Sequence, residues 1–437
     1  MNVSRSIQSI VLSALGLGIC CLAICWVSAS GAQADSSFSP TITAATASNR
    51  AGAFTFETVA ITRQGEAEEL GSITVQNPPG LLGMLSRVGV CSEVEAENGR
   101  CPESSKIGTV AVGLGPSFNP FYSEGPVYLT APYGGAPFGL AVAVPLIAVP
   151  FDFGEVLVRG KLEIDPATAS LRVESDPLPQ SVDGIPLEIR TIRLDFHRKS
   201  FISNPTNCRP GSIQVTVTSA SGVVAARQSR FQARECAKLE FKPRLSLRLR
   251  GKANRGAHPK LRATLALPRG NANLKTATIT LPPAEEIDSA HLAAPCSQAA
   301  FAEGQVAGEH CPPDSVIGSA RAKSPLLKGN LEGPIYLRSS GRRLPDLEVE
   351  LDGQVGISLD ARIASAHGGL RASFTNIPDA PLSKLTLNFK GGGDGLLVNG
   401  ENSCRAPLRA IADFIGQNRA AAKQDPVLQG SCGKAGK

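Results

Sequence analysis

The chain has 437 residues, 42% of them hydrophobic and only 5% aromatic, with 19% charged and a formal net charge of +6. That length exceeds one compact core and asks for two domains. Its 44 glycines and 32 prolines, spread between many short alternating segments, suit an all-β chain rather than a helical one.

At the N-terminus, Arg5 is the only charge before an uncharged apolar run from Ile10 to Val27. Ala32-Gln33-Ala34 then fits a peptidase site, so residues 1–34 are expected to be a signal peptide, cleaved before Asp35. Cys20 and Cys25 each follow a bulky isoleucine, which argues against lipid attachment. No later apolar run has spanning length, so the mature chain is expected to be secreted or to lie in the cell envelope, on the extracytoplasmic side.

Two halves follow, 35–236 and 237–437, and they say nearly the same thing. Cys91, Cys101, Cys208 and Cys236 recur as Cys296, Cys311, Cys404 and Cys432, and the last pair of each set is 28 residues apart. CPESSKIGTV from Cys101 returns as CPPDSVIGSA from Cys311, and EGPVYL from Glu124 returns as EGPIYL from Glu332. An even cysteine count in an exported chain reads as disulfides. If the halves fold alike, the favoured pairs are Cys91–Cys101, Cys208–Cys236, Cys296–Cys311 and Cys404–Cys432. Zinc is disfavoured, since no C-x-x-C pair occurs and His310 beside Cys311 has Arg100 as its counterpart.

Along the first half, AFTFETVAIT (from Ala53) and ELGSITVQ (from Glu69) alternate as strands, and Leu81, Leu82, Leu85 and Val88 suggest a short helix leading to Cys91. Pro102 and Ser105 make a turn into the strand from Ile107. Leu157–Pro179 aligns with Ile357–Pro381 as strand, turn, strand and Pro-rich exit. LEIRTIRLDFHR and LSKLTLNFKGG supply the next strand of each half, and the final cysteine loops read as hairpins. The expectation is two tandem Ig-like β-sandwich repeats, each of eight to ten strands with two disulfides.

Two stretches break the symmetry. Phe118 to Val156 of the first half carries Phe118, Phe121, Tyr122, Tyr133, Phe138, Phe151 and Phe153 in an apolar run interrupted by Pro145 and Pro150. The plain reading is a thicker core; the sharper one is an apolar loop that touches a lipid, a glycolipid or a partner. In the second half, Lys238 to Leu265 holds 9 basic residues and 1 acidic residue. Leu245, Leu247 and Leu249 alternate there with Ser246, Arg248 and Arg250, which puts the arginines on a solvent face. That face suits contact with an acidic envelope polymer more than nucleic acid, which an exported protein rarely meets.

Catalytic signatures are missing. No G-x-S-x-G, H-E-x-x-H or P-loop occurs, and none of the five histidines recurs at a matching position. Gly391-Gly392-Gly393-Asp394-Gly395 lacks the Lys-Ser/Thr of a phosphate loop and reads as a turn. The only tryptophan, Trp26, precedes the mature chain, so a sugar cleft has no stacking platform.

GIPLEIRTIRLDF (from Gly184) and NPTNC (from Asn204), with EGPIYLRSS, LPDLEVEL, FTNIPDAPLSKLTLNFKGG and GLLVNGENSC in the second half, resemble a group of exported actinobacterial proteins with cysteine-bearing β-repeats. The resemblance covers most of the mature chain and implies export and repeat boundaries. It implies no catalytic residue, since the group has no assigned activity. The expected function is a non-enzymatic surface or matrix interaction protein, without cofactor or metal, for an envelope or matrix component, with peripheral membrane contact as a further option. A binding module for an apolar or glycolipid ligand is the alternative, and an unrecognised hydrolase the third reading.

Overall fold

The structure is a computed structural model that describes residues 38–430, apart from 66–67, 116–118, 149–150, 293–294 and 303–306. The expected signal peptide, Phe118 and Cys432 lie outside the described residues, as does the side chain of Phe151. The fold is all-β, with 51% strand and 8% helix.

Strands form where apolar residues alternate with polar ones. In Gly211–Ser219, for example, Ile213, Val215 and Val217 are buried while Gln214 faces out. In chain order the first half contributes β1 (Thr41–Thr46), β2 (Glu57–Thr62), β3 (Leu70–Gln76), β4 (Lys106–Leu114), β5 (Phe121–Thr130), β6 (Phe138–Ala148), β7 (Phe151–Ile164), β8 (Leu171–Ser175), β9 (Ile189–Phe196), β10 (Gly211–Ser219) and β11 (Val224–Phe231). They make one 11-stranded antiparallel sheet in the order β1-β2-β9-β4-β5-β6-β7-β8-β3-β10-β11.

The second half contributes β12 (Arg244–Arg250), β13 (Lys260–Ala266), β14 (Leu274–Thr280), β15 (Val316–Lys323), β16 (Asn330–Arg338), β17 (Asp346–Leu351), β18 (Ile357–Ala366), β19 (Gly369–Phe374), β20 (Lys384–Phe389), β21 (Ile411–Gly416), β22 (Ala421–Gln424) and β23 (Leu428–Gln429). Its 12-stranded sheet runs β12-β13-β20-β15-β16-β17-β18-β19-β14-β21-β22, with β23 added in parallel outside β12. Adding eleven to each label of the first order reproduces the second.

Each sheet curls until its ends meet. Ala44 N of β1 donates to Ser229 Oγ of β11 at 3.0 Å, and Leu245 N of β12 donates to Gln424 Oε1 of β22 at 3.0 Å. Strand twist accumulates over so many strands, and curling hides the edges that a flat sheet would expose. One continuous sheet of eleven or twelve strands thus stands in each half, where eight to ten strands in two facing sheets were expected. Phe138 to Ile164 forms β6 and β7, a long hairpin with Pro145 at a register shift, in keeping with the thicker-core reading of that stretch.

The motifs common to both halves make the same local joint. Ser105 Oγ donates to Pro102 O at 2.7 Å, and Ser315 Oγ to Pro312 O at 2.6 Å, both serines being fully buried. Just beyond, β4 and β15 each shift register, at Lys106/Gly108 and Val316/Gly318. A methyl group on Gly108 or Gly318 would stand 2.3 Å from a carbonyl oxygen of the neighbouring strand, Asp195 O or Asn388 O, so only glycine lets the strands approach.

Disulfides join Cys91–Cys101, Cys208–Cys236 and Cys296–Cys311. Cys404 is disulfide-bonded as well. The described residues, 38–430, belong to one compact unit, and the largest buried apolar cluster passes through both sheets. A buried carboxylate pins the two halves together. Asp379 accepts hydrogen bonds from Thr206 N (2.9 Å), Thr206 Oγ1 (2.7 Å), Asn207 N (3.0 Å), Asn207 Nδ2 (2.7 Å) and Asn273 Nδ2 (2.7 Å).

Candidate binding cavity

Where the two curled sheets meet, the shared core is not filled. A cavity of about 180 Å³ opens there, with Ile107, Leu162 and Leu171 on the first side and Leu331, Leu359 and Leu385 on the second. These residues are the inward phase of β4, β7, β8, β16, β18 and β20, so the wall is apolar because strand alternation makes it so. Engineered cavities of comparable size, about 150 Å³ and lined by Leu, Ile and Phe, stay dry and accept benzene.

Three polar side chains break this wall, Glu57, Asn77 and Ser324, and the last is satisfied by donating its Oγ to Pro381 O at 2.6 Å. Glu57 begins β2 in the same inward phase as Val59 and Ile61. It is 3% exposed and Asn77 9%. Asn77 Nδ2 donates to Glu57 Oε2 at 3.1 Å, whereas Glu57 Oε1 and Asn77 Oδ1 have no partner. Burial pushes the Glu57 carboxyl up to about 7, and the Asn77 hydrogen bond only partly offsets this. Near neutral pH the carboxyl therefore exists both as a neutral O–H donor and as an anion. An orphaned carboxyl oxygen beside an orphaned amide oxygen, in an apolar enclosure, is a costly arrangement that a ligand's polar end would relieve.

Among the described residues, the aromatic side chains singled out from the sequence do not gather into one site. Phe138 is buried in the core and Phe153 packs half-buried against it. Tyr133 is a strut: its hydroxyl bonds Asp176 Oδ2 at 2.5 Å, and the Arg159 guanidinium lies 4.2 Å over its ring. Arg159 in turn pairs with Glu93 at 2.8 Å, in the helix Glu93–Glu97 inside the Cys91–Cys101 loop. Phe121 (45% exposed) and Tyr122 (57%) stand at the outer end of β5, and Ile147 is likewise exposed near the tip of the β6–β7 hairpin.

The basic strand behaves as read, with Arg244, Arg248 and Arg250 exposed while Leu247 and Leu249 are buried. Across β12 and β13, Arg248 faces Arg262 and Arg250 faces Lys260. Among the described residues, histidine ring bonds go to Asp288 or to main-chain oxygens of Asp195 and Gly395, and none goes to a serine hydroxyl or thiol. The one described cluster with metal-ligating chemistry, His258, Asp288 and His291, takes no part in the cavity wall.

Sequence reasoning missed the cavity. Its one legible trace is Glu57, an acid two residues before Val59 in the buried phase of a strand. Comparison with protein-family models and with curated proteins gives no match.

Proposed function

We propose that this chain is an exported, non-catalytic binding protein for a slender apolar ligand, held where two tandem copies of one curled β-unit meet. The observation that carries the reading is the apolar cavity at the junction, with the unpartnered oxygens of Glu57 and Asn77 in its wall. The ligand's aliphatic part would lie among Leu162, Leu171, Leu331 and Leu385. Its hydroxyl, amide or carboxylic acid end would answer Glu57 and Asn77. The volume suits a short chain or one segment of a longer one rather than a bulky ring system. Export rests on the N-terminal apolar run with its peptidase-type site, and the disulfides agree with an oxidising compartment. The duplication reading rests on the identical strand order of the two sheets together with the repeated cysteine frame.

A second reading rests on a separate observation. Phe121, Tyr122 and Ile147 are exposed at the outer end of the first sheet and would let the protein contact an envelope component.

The test is organic extraction of the mature chain, purified with its disulfides intact, followed by mass spectrometry. The proposal expects a stoichiometric aliphatic compound, and a Leu162→Trp variant that lacks it. An extract free of any such compound, from a chain that also takes up none from a panel of fatty acids and alcohols, would remove the proposal.

A further inference from the structure

His258 lies between β12 and β13, while Asp288 and His291 lie at the short helical turn Ser289–Leu292. Asp288 Oδ2 is 2.8 Å from His258 Nε2 and 3.7 Å from His291 Nδ1, and the two imidazole rings are 5.2 Å apart between centroids. One donor atom from each residue falls within 4.8 Å of the others. All three side chains are partly exposed, between 22% and 31%, so solvent and ions reach them.

We propose that His258, Asp288 and His291 form a binding site for one divalent transition-metal cation of the zinc type. Two imidazoles and one carboxylate match the ligands that such ions take in proteins, whereas calcium and magnesium want a shell of oxygens. A simple His–Asp pair accounts for His258. The second imidazole, that of His291, stands with Nδ1 3.7 Å from the same carboxylate oxygen while bonded to Gly395 O at 2.7 Å. A cation between the three groups satisfies both rings and the carboxylate together.

Neighbouring hydrogen bonds hold the donors in place, as they do around the ligands of bound metals. Ala290 N donates to Asp288 Oδ1 at 2.9 Å, which leaves Oδ2 facing the rings. Asp288 N is tied to Leu396 O at 2.9 Å, and Gly392 N donates to His258 O at 2.9 Å. The glycine run Gly391–Gly395 closes over the cluster. A methyl group on Gly395 would lie 2.8 Å from His258 Cβ, so this backbone can reach the histidines only as glycine. Gly395 O accepts from His291 Nδ1 at 2.7 Å. When the metal binds, that hydrogen bond is exchanged for the metal bond, and the carbonyl remains beside the site. The cation would clasp two separate segments of the second half, and the first half has no histidine counterpart.

The test uses the tag-free mature chain with its disulfides intact. Cobalt(II) titration followed by visible absorption, with zinc competition, is expected to show stoichiometric uptake. His291→Ala and Asp288→Asn, each checked for folding by circular dichroism, should lower affinity by about tenfold or more. His310→Ala should leave it unchanged. X-ray absorption at the zinc edge of the unaltered chain should show nitrogen and oxygen neighbours and no sulfur, a readout independent of whether the variants fold. Absence of stoichiometric uptake, or uptake untouched by both substitutions, overturns the proposal, as would sulfur ligation.

Discussion

Glu57, Glu285 and Glu350 are buried carboxyls that the fold leaves partly unpartnered. Glu285 is 1% exposed and both its oxygens lack a hydrogen bond. Glu350 has Ser358 Oγ at 2.7 Å on one oxygen and nothing on the other. Desolvation pushes all three up to about 7 from the usual 4.5. Each therefore keeps its proton in the folded state over a pH range where the unfolded chain has lost it. Their contribution is complete below about pH 4.5 and disappears as pH rises through about 7. Urea unfolding at pH 5 and at pH 8 should show the folded state more stable at pH 5. For Glu57 the gap between 4.5 and about 7 is worth roughly 3 kcal/mol. Glu57→Gln keeps an uncharged group opposite Asn77 and should recover most of that amount at pH 8 while changing little at pH 5. Equal stability of the native chain at the two pH values would refute this account of the buried acids.

At the scale of elements, β12 and β13 place like charges directly opposite one another, Arg248 against Arg262 and Arg250 against Lys260. Such pairs weaken a sheet. Arg262→Gln should stabilise by roughly 0.5 kcal/mol at low salt, and the gain should shrink as salt screens the charges. Thermal melts at low and high ionic strength check this. The disulfide loops differ in what they secure. Cys208–Cys236 closes 28 residues and Cys91–Cys101 closes 10. Opening them by Cys→Ser pairs should cost about 4 and about 3 kcal/mol respectively in the chain-entropy model. These elements also show what could be read in advance. Strands such as Gly211–Ser219 and Arg244–Arg250 were legible because their alternation matches the pleat, and the disulfides because the cysteine frame recurs. The pairing round the curled sheets was not, since β2 pairs with β9 across about 130 residues and no local pattern specifies such a partner. Glu348 and Glu350 mislead in a similar way. Their alternation in LEVEL suggests solvent exposure, yet both are buried, and Arg338 Nε reaches Glu348 at 2.7 Å.

At the scale of the molecule, one compact unit contains two large sheets of the same strand order, and their junction holds both a buried carboxylate with five hydrogen bonds and an apolar cavity. Asp379 holds Thr206 and Asn207 of the first half against Asn273 of the second. Asp379→Ala strands several buried donors and should cost roughly 3 kcal/mol or more. Calorimetry should then show the halves beginning to melt separately, whereas the native chain should melt in one transition.

The cavity beside that junction carries the central claim, that the two halves together enclose an apolar ligand with its polar end at Glu57 and Asn77. The most direct measurement is calorimetric titration of ligand-stripped protein with straight-chain alcohols and acids of graded length. The native chain should bind with a negative heat-capacity change and a length optimum. Leu331→Trp, which fills the cavity from the second half, should abolish binding without unfolding the chain, and Glu57→Gln should alter the preference between acid and alcohol. Binding that is independent of chain length, or that survives Leu331→Trp unchanged, would contradict the account.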